Sequence, residues 1–108
     1  MSMTERWVRV AASEDIPAGH AIPVEIAGLS VAVCHLEDGG WYAIENVCSH
    51  AYALLTDGWL DGAEIECPLH AGRFDVRTGR ATCLPADADI KTYGLRLDGT
   101  DVLLELPE

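Results

Sequence analysis

The sequence predicts an all-β fold, a sandwich or barrel of short antiparallel strands, and three observations predict it. Many short segments alternate apolar and polar residues with the period of two that is typical of half-buried strands. Ten glycines and five prolines divide these segments at short intervals, as turns do in all-β proteins. No segment keeps a helical period for more than a turn or two. A chain of 108 residues is expected to form one domain.

About nine strands are expected, at residues 7–11, 21–26, 29–36, 41–44, 63–67, 73–76, 80–83, 90–97 and 101–106. The first alternates apolar residues with Arg9. The second and third are joined by Ala27-Gly28, which is typical of a hairpin. In the third strand, Val31 and Val33 are predicted to share one face, and Ala32 and Cys34 the other.

The remaining strands are also bounded by turn residues. The segment 37–40, Glu-Asp-Gly-Gly, precedes the fourth strand, and Arg77-Thr78-Gly79 joins the sixth and seventh. Asp98-Gly99-Thr100 joins the last two. Between residues 45 and 61 the periodicity is weak, so we expect irregular structure with at most a helical turn near Leu55. The three tryptophans are expected to anchor the core: Trp7, Trp41 and Trp59.

The composition limits the class of partner. Eighteen Asp and Glu against seven Lys and Arg give a formal net charge of −11. This balance argues against nucleic acid, because phosphate binding needs clustered Lys and Arg. It is compatible with basic protein partners, or with a role in solubility alone. No apolar run suggests a signal peptide or a membrane span, so a soluble protein of the reducing cytoplasm is expected.

Two short motifs contain the candidate metal ligands. Cys48-Ser49-His50 forms a first arm, and Cys67-Pro68-Leu69-His70 forms a second arm after sixteen intervening residues. Common zinc fingers place their cysteines on one arm and their histidines on the other. A Cys and a His on each arm instead suit a [2Fe–2S] centre in which one iron has two Cys ligands and the other has two His ligands.

The chain resembles the Rieske-type ferredoxins, and in particular the ferredoxin components of bacterial aromatic-ring-hydroxylating dioxygenases of the naphthalene and biphenyl kind. Both arms carry the resemblance, together with 55–58, 65–75, 77–79 and 90–93, and it extends over nearly the whole chain. It implies one Rieske-type [2Fe–2S] cluster held by Cys48, His50, Cys67 and His70. It also implies a cluster-binding subdomain of residues 45–85, approximately, inserted into a basal β region of residues 1–44 and 86–108.

The function that the resemblance implies is electron transfer, not catalysis. A ferredoxin of this kind carries single electrons from an FAD-containing NAD(P)H ferredoxin reductase to a terminal Rieske oxygenase, and both contacts are transient. It needs neither nucleic acid nor membrane. Service in an aromatic monooxygenase or as a nitrite reductase small subunit is the alternative.

Two other functions, an oxygenase and a zinc module, fit the residues less well. An oxygenase needs another iron held by two His and a carboxylate, and only His20 and His35 remain for it. A zinc module conflicts with the order of the ligands.

Residues absent from this sequence indicate a low redox potential. High-potential Rieske proteins of respiratory chains carry a disulfide between the cluster loops, at positions that match Ala53 and Leu69. They also donate hydroxyl hydrogen bonds from a serine and a tyrosine, where this chain has Gly72 and Phe74. Fewer donors leave more negative charge on the sulfurs and disfavour reduction. We expect a potential near the low end of the range of roughly −150 to +300 mV.

Other reactive or charged residues receive structural interpretations. Cys34 is expected to pack in the core, and Cys83 in the core or a loop. A group of carboxylates between the arms is either solvated loop charge or a docking rim for basic partners: Asp57, Asp61, Glu64 and Glu66. Arg73 and Arg77 are candidates for its positive counterpart.

Overall fold

The described structure consists of antiparallel strands, as expected. A computed structural model describes residues 7–48, 53–69, 72–84 and 88–107. These ranges contain eleven strands and no α-helix, and the only helical segments in them are two 3₁₀ turns, at Ser13–Asp15 and Leu55–Asp57. The prediction of an all-β fold is therefore confirmed.

The strands are numbered along the chain. They are β1 (Trp7–Ala12), β2 (His20–Ile26), β3 (Leu29–His35), β4 (Trp41–Glu45), β5 (Trp59–Asp61), β6 (Glu64–Glu66), β7 (Arg73–Asp75), β8 (Ala81–Cys83), β9 (Thr92–Tyr93), β10 (Leu95–Asp98) and β11 (Asp101–Glu105).

The strands form three sheets, and their order shows that one sheet is an insertion. The first sheet has the order β1-β11-β10, the second β2-β3-β4-β9 and the third β5-β6-β7-β8. Strands β4 and β9 are neighbours in the second sheet, yet all of the third sheet lies between them in sequence. The third sheet therefore forms an insertion between two strands of a basal β region.

The second sheet is the middle layer and packs on both faces. Val31, Val33 and Ala43 lie in a core shared with the first sheet, which includes Val102 and Leu104. The opposite face lies in a second core, shared with the third sheet and the arms, and contributes Ala32, Cys34, Leu36 and Ile44. The predicted division of β3 into two faces is confirmed. Because burial desolvates the Cys34 thiol, its pKa rises to about 12, as expected for a packing residue.

Two strand predictions were wrong, and both concern short elements. The strand expected at 90–97 is divided at Gly94, because Thr92–Tyr93 pairs with β4 whereas Leu95–Asp98 pairs with β11. A side chain at Gly94 would contact the carboxylate of Glu105 at 2.5 Å. Strand β5 was expected to be irregular, but its three residues pair with β6.

Trp59 does not anchor the core. It is 61% exposed, since the alternation of β5 points Leu60 inward and Trp59 outward. Trp7 and Trp41 are partly buried. The Arg96 guanidinium lies 4.3 Å from the centre of the Trp7 ring, and Trp41 stacks on His35 with ring centres 3.9 Å apart.

In the described part of the chain, no helix combines the length and the apolar character needed to span a bilayer.

Candidate metal centre

The first arm leaves β4 and returns as a closed loop with Cys48 at its base. The amide of Cys48 donates a hydrogen bond to the carbonyl of Ala53 at 2.9 Å, and the amide of Leu55 donates to the carbonyl of Asn46 at 2.7 Å. Between these pairs, Val47 and Leu54 form an antiparallel bridge. Residues 49–52, including the predicted ligand His50, lie outside the described residues.

The buried side chain of Asn46 fixes this arm. It is fully buried, and it is the only polar side chain in the buried core of the described chain. Its Nδ2 donates to Thr56 Oγ1 at 3.0 Å, and its Oδ1 accepts from the Thr56 amide at 2.9 Å. Asn46 was not predicted from the sequence as a functional residue. One feature of the sequence could have indicated its role: Asn46 is the only asparagine in the chain, and it lies between an apolar strand and a ligand motif.

The second arm is the loop of the β6–β7 hairpin and repeats the geometry of the first. Glu66 pairs with Arg73 at the end of the ladder, and the amide of Cys67 donates to the carbonyl of Gly72 at 2.7 Å. In both arms the cysteine amide therefore bonds to the carbonyl five residues later. His70 and Ala71 lie outside the described residues.

The two cysteines meet in the interior. Cys48 is 3% exposed and Cys67 is fully buried, and neither forms a disulfide. The pKa of Cys67 is raised by burial and by a hydrogen bond between the two thiols, whereas the amide of Leu69 favours the thiolate and lowers it. Two buried thiols with a nearby backbone donor form half of the expected ligand set. The structure does not test the other half, because both histidines lie outside the described ranges.

Among the described residues, no group of three or more His, Cys, Asp or Glu side chains could hold a metal. The cysteines contribute two soft ligands from two different loops, which is the donor type that iron–sulfur centres require.

Gly58 brings the two arms into contact. It follows the 3₁₀ turn of the first arm, and a methyl group at this position would overlap the carbonyl oxygen of Glu66, which precedes Cys67. Pro68 also lies close to this point. The absence of a side chain at Gly58 therefore allows the end of one arm to lie against the start of the other.

The surroundings of the cysteines are apolar. Leu55, Ile65 and Phe74 pack with Cys48 and Cys67 in one core cluster. Phe74 is fully buried and has no hydroxyl to donate. Leu69, in contrast, is 44% exposed. Because Cys48 and Cys67 are both buried among apolar side chains, the sulfur side of the two loops is shielded from water.

Three of the four carboxylates between the arms form ion pairs with one arginine. Arg73 contacts Glu66 at 2.9 Å, Glu64 at 3.3 Å and Asp61 at 3.4 Å, and these carboxylates raise its pKa. Arg73 is therefore the positive counterpart of three of the four acidic residues. Arg77 instead pairs with Asp75 at 2.9 Å.

Cys83, the other cysteine outside the two ligand motifs, differs from the buried Cys34. Cys83 lies exposed at the end of β8, so it is not part of the core. Its thiol lies 3.4 Å from the carbonyl of Leu84.

Known proteins are similar to this chain in sequence and in fold. The Rieske [2Fe-2S] domain family matches residues 6–94. The ferredoxin component of the naphthalene 1,2-dioxygenase system of Pseudomonas aeruginosa is 46% identical over 104 residues, which cover 96% of this chain and 99% of that protein.

Solved structures give the same assignment. The ferredoxin of carbazole 1,9a-dioxygenase from Nocardioides aromaticivorans IC177 superposes with a TM-score of 0.89 at 42% identity, covering 94% of this chain and 98% of that one. A chain from a complex of reduced oxygenase and oxidized ferredoxin in carbazole 1,9a-dioxygenase has a TM-score of 0.87 at 33% identity, covering 93% of each chain. The chain therefore belongs to the Rieske [2Fe–2S] domain family, whose domain carries one Rieske-type [2Fe–2S] cluster.

Proposed function

We propose that this chain is the ferredoxin of an aromatic-ring dioxygenase system. It carries single electrons from an FAD-containing NAD(P)H ferredoxin reductase to the terminal oxygenase, and it is not itself an enzyme. The observation that carries the proposal is the pair of buried, unbridged cysteines at the bases of two equivalent loops. The relatives that match nearly the whole chain are named as ferredoxin components of such systems, which supports the same role here.

The ligands we propose are Cys48 and Cys67 on one iron and His50 and His70 on the other. The residues present fit the group, because two soft ligands emerge from separate loops into a site from which apolar side chains exclude water. When bound, the cluster accepts and releases one electron. The chain's own contribution is to hold the cysteines, through Asn46 and the Cys67–Gly72 bond, and to stabilise negative charge on the Cys67 sulfur through the Leu69 amide.

We assign residues 45–85, approximately, to a cluster-binding subdomain and residues 1–44 and 86–108 to a basal region. The insertion of the third sheet between the neighbouring strands β4 and β9 supports this division. The partners are a reductase and an oxygenase that bind transiently. A cytoplasmic location remains a prediction from the sequence.

Reconstitution tests the proposal. Purified protein should be red-brown, and its reduced form should show the low average g value of a His-ligated [2Fe–2S] centre. Mixed with NAD(P)H, a ferredoxin reductase and the oxygenase of a naphthalene 1,2-dioxygenase system, it should support oxidation of the aromatic substrate. A colourless protein with one bound zinc would contradict the cluster, and electron delivery only to a monooxygenase or a nitrite reductase would contradict the dioxygenase assignment.

Replacement of each histidine tests the ligand set separately. His50→Cys or His70→Cys should lower the midpoint potential or abolish cluster assembly, because a thiolate adds negative charge to the iron that receives the electron. An unchanged potential in a variant that assembles its cluster would show that the replaced histidine is not a ligand.

A further inference from the structure

An open groove separates the basal region from the inserted sheet on the side where Trp59 is exposed. Its volume is about 290 Å³, and it runs between the start of β2 and the edge strand β5. The lining includes His20, Thr56 and Trp59, above the more deeply buried Leu55, Leu60 and Ile65. The inferred function does not use this groove.

Trp59 is the feature of the groove that indicates a protein partner. It is 61% exposed, although an indole of this size is normally covered in a monomer. Tryptophan is strongly enriched among the residues that dominate the binding energy of protein interfaces. Its position on an edge strand leaves the ring accessible from the groove and from solvent.

The charge around the groove selects the chemistry of that partner. The carboxylate of Glu37 lies against Gly19, which lines the groove. Asp57 lies between Thr56 and Gly58, which also line it. Both acids are exposed. In the described part of the chain neither carboxylate is ion-paired, in contrast to Glu66, which Arg73 holds, and no Lys or Arg lines the groove.

An arginine or lysine side chain matches this combination of an aromatic face and unpaired carboxylates. Its aliphatic stem would pack along the groove, and its cationic group would lie over the indole and beside the acids. Uncompensated negative charge at the rim also accelerates the approach of a basic surface.

The position of the groove favours a redox partner. Leu55 and Ile65, which form its floor, pack in the same core cluster as Cys48 and Cys67. A protein docked there would lie against the core cluster that contains both cysteines. A related ferredoxin, 33% identical to this chain, was solved together with its oxygenase, so an association of that kind is stable enough to isolate.

We propose that the Trp59 groove is a docking site for the terminal oxygenase, and that it receives an Arg- or Lys-bearing segment of that protein. The proposal rests on the electron-carrier function proposed above.

Binding measurements with substituted ferredoxins test it. The oxygenase of a naphthalene 1,2-dioxygenase system is the probe, and its Kd is measured for the cluster-loaded ferredoxin at low ionic strength. Trp59→Ala should raise Kd roughly five- to tenfold, and Trp59→Phe should raise it less, because the smaller ring retains part of the contact. Leu97→Ala is the matched control, since Leu97 is another exposed apolar residue (43%) but lies on the first sheet. It should leave Kd unchanged.

A second pair of variants tests the electrostatic part. The double variant Glu37→Gln/Asp57→Asn should raise Kd at low salt, and its difference from wild type should shrink toward about 1 M salt, where charges are screened beyond roughly 3 Å. Glu25→Gln/Asp98→Asn removes the same formal charge from exposed positions away from the groove and should have a smaller effect.

The outcomes separate the two proposals. If wild-type ferredoxin does not bind or reduce the oxygenase, the electron-carrier function is contradicted. The docking proposal is overturned if Trp59→Ala binds the oxygenase as tightly as wild type does. It is also overturned if the substitution weakens binding of the reductase but not of the oxygenase. The visible spectrum and midpoint potential of each variant must match wild type, and Trp59→Phe provides the test if Trp59→Ala fails to assemble.

Discussion

Asn46 holds the first arm because its side chain adds two hydrogen bonds to the short backbone ladder around the Val47–Leu54 bridge. Its amide satisfies both the hydroxyl and the backbone amide of Thr56, so the chain on either side of Cys48 is clamped. A buried polar group is retained in a core only when its hydrogen bonds are made. The geometry of Cys48 therefore depends on a residue outside the proposed ligand set.

Substitution of Asn46 should destabilise the protein and loosen the first arm. Asn46→Ala removes two hydrogen bonds and leaves the part-buried Thr56 amide without its partner, which should lower the free energy of unfolding by about 2–3 kcal/mol. Denaturant unfolding followed by the visible absorption of the cluster measures this loss. Thr56→Val is the control: it retains the amide–Oδ1 bond and should cost about 1 kcal/mol. Equal losses in both variants would contradict the clamp.

We expect Phe74 to contribute to the predicted low redox potential, because it is buried in the same core cluster as the cysteines and has no donor group. Phe74→Tyr introduces a hydroxyl at the position where high-potential Rieske proteins donate one. One hydrogen bond of about 0.5–1.5 kcal/mol corresponds to a rise of roughly 20–65 mV for a one-electron couple. Protein-film voltammetry measures the shift. Tyr93→Phe, a hydroxyl change in the other core cluster, should leave the potential unchanged.

The midpoint potential of the wild-type protein tests the low-potential prediction itself. A value above roughly +100 mV would contradict it.

At the scale of the elements, the two arms depend on one close approach. Gly58→Ala would place a methyl group against the Glu66 carbonyl, so β5 and β6 would have to separate just before Cys67. We expect a loss of at least about 2 kcal/mol, typical of overpacking, together with poorer cluster incorporation. Gly99→Ala is the control, because Gly99 has a φ of +64° but no atom within 4 Å of an added methyl group. It should cost about 1 kcal/mol and leave the iron content unchanged. Normal iron content in Gly58→Ala would show that the arms tolerate separation.

The turn after β7 should give stability a specific pH dependence. The Arg77 guanidinium and amide donate to the Asp75 carboxylate at 2.8–3.0 Å and lower the pKa of Asp75. A lowered folded-state pKa stabilises the protein fully above the usual value of about 3.9, and this contribution is lost as the pH falls toward the folded-state pKa.

Asp75→Asn should therefore be less stable than wild type at pH 7 by on the order of 1 kcal/mol, and the difference should disappear as the pH falls below about 4. Urea unfolding at a series of pH values measures both proteins. Because wild type and Asp75→Asn have identical ligand arms, any effect of acid on the cluster should be the same in the two proteins. A difference that does not depend on pH would show that the ionised carboxylate makes no contribution.

The sequence determines the longer elements more clearly than the short ones. Alternation over six or seven residues was enough to locate β1, β2 and β3, and the spacing of the Cys and His residues indicated two loops. Strands β6, β7 and β8 are as short as β5, but β5 lies at the end of the weakly periodic stretch 45–61 and therefore gave no strand signal. The break at Gly94 arises because adjacent segments pair with different sheets. The outward direction of Trp59 follows from the pairing of β5 with β6, which the local sequence does not contain.

At the scale of the whole molecule, the division into two cores separates stability from function. Among the residues that the structure describes, the core between the first and second sheets contains no candidate ligand. The core between the second and third sheets contains Cys48 and Cys67, and the third sheet is built of three-residue strands. The inserted sheet therefore depends on the loops that it supports, whereas the basal region has a hydrophobic core of its own.

Removal of iron should consequently affect the two regions differently. Without the cluster, the two arms lose one link between them, and two contacts remain: that of the buried thiols and the close approach of Gly58 to the Glu66 carbonyl. Strands β5 to β8 should then open more often and lose amide protection from hydrogen exchange, while β3 and β11 should retain theirs because Val31, Val33, Val102 and Leu104 stay packed. Hydrogen exchange of chelator-treated and cluster-loaded protein, followed by mass spectrometry of peptides from residues 59–83 and 29–35, measures the contrast. Asn46→Ala with its cluster in place should show an intermediate loss only in a further peptide, from residues 46–58, which covers the first arm. A uniform loss across both peptides would show that the cluster stabilises the molecule as one cooperative unit, and unchanged protection at 59–83 would show that the inserted sheet is stable without it.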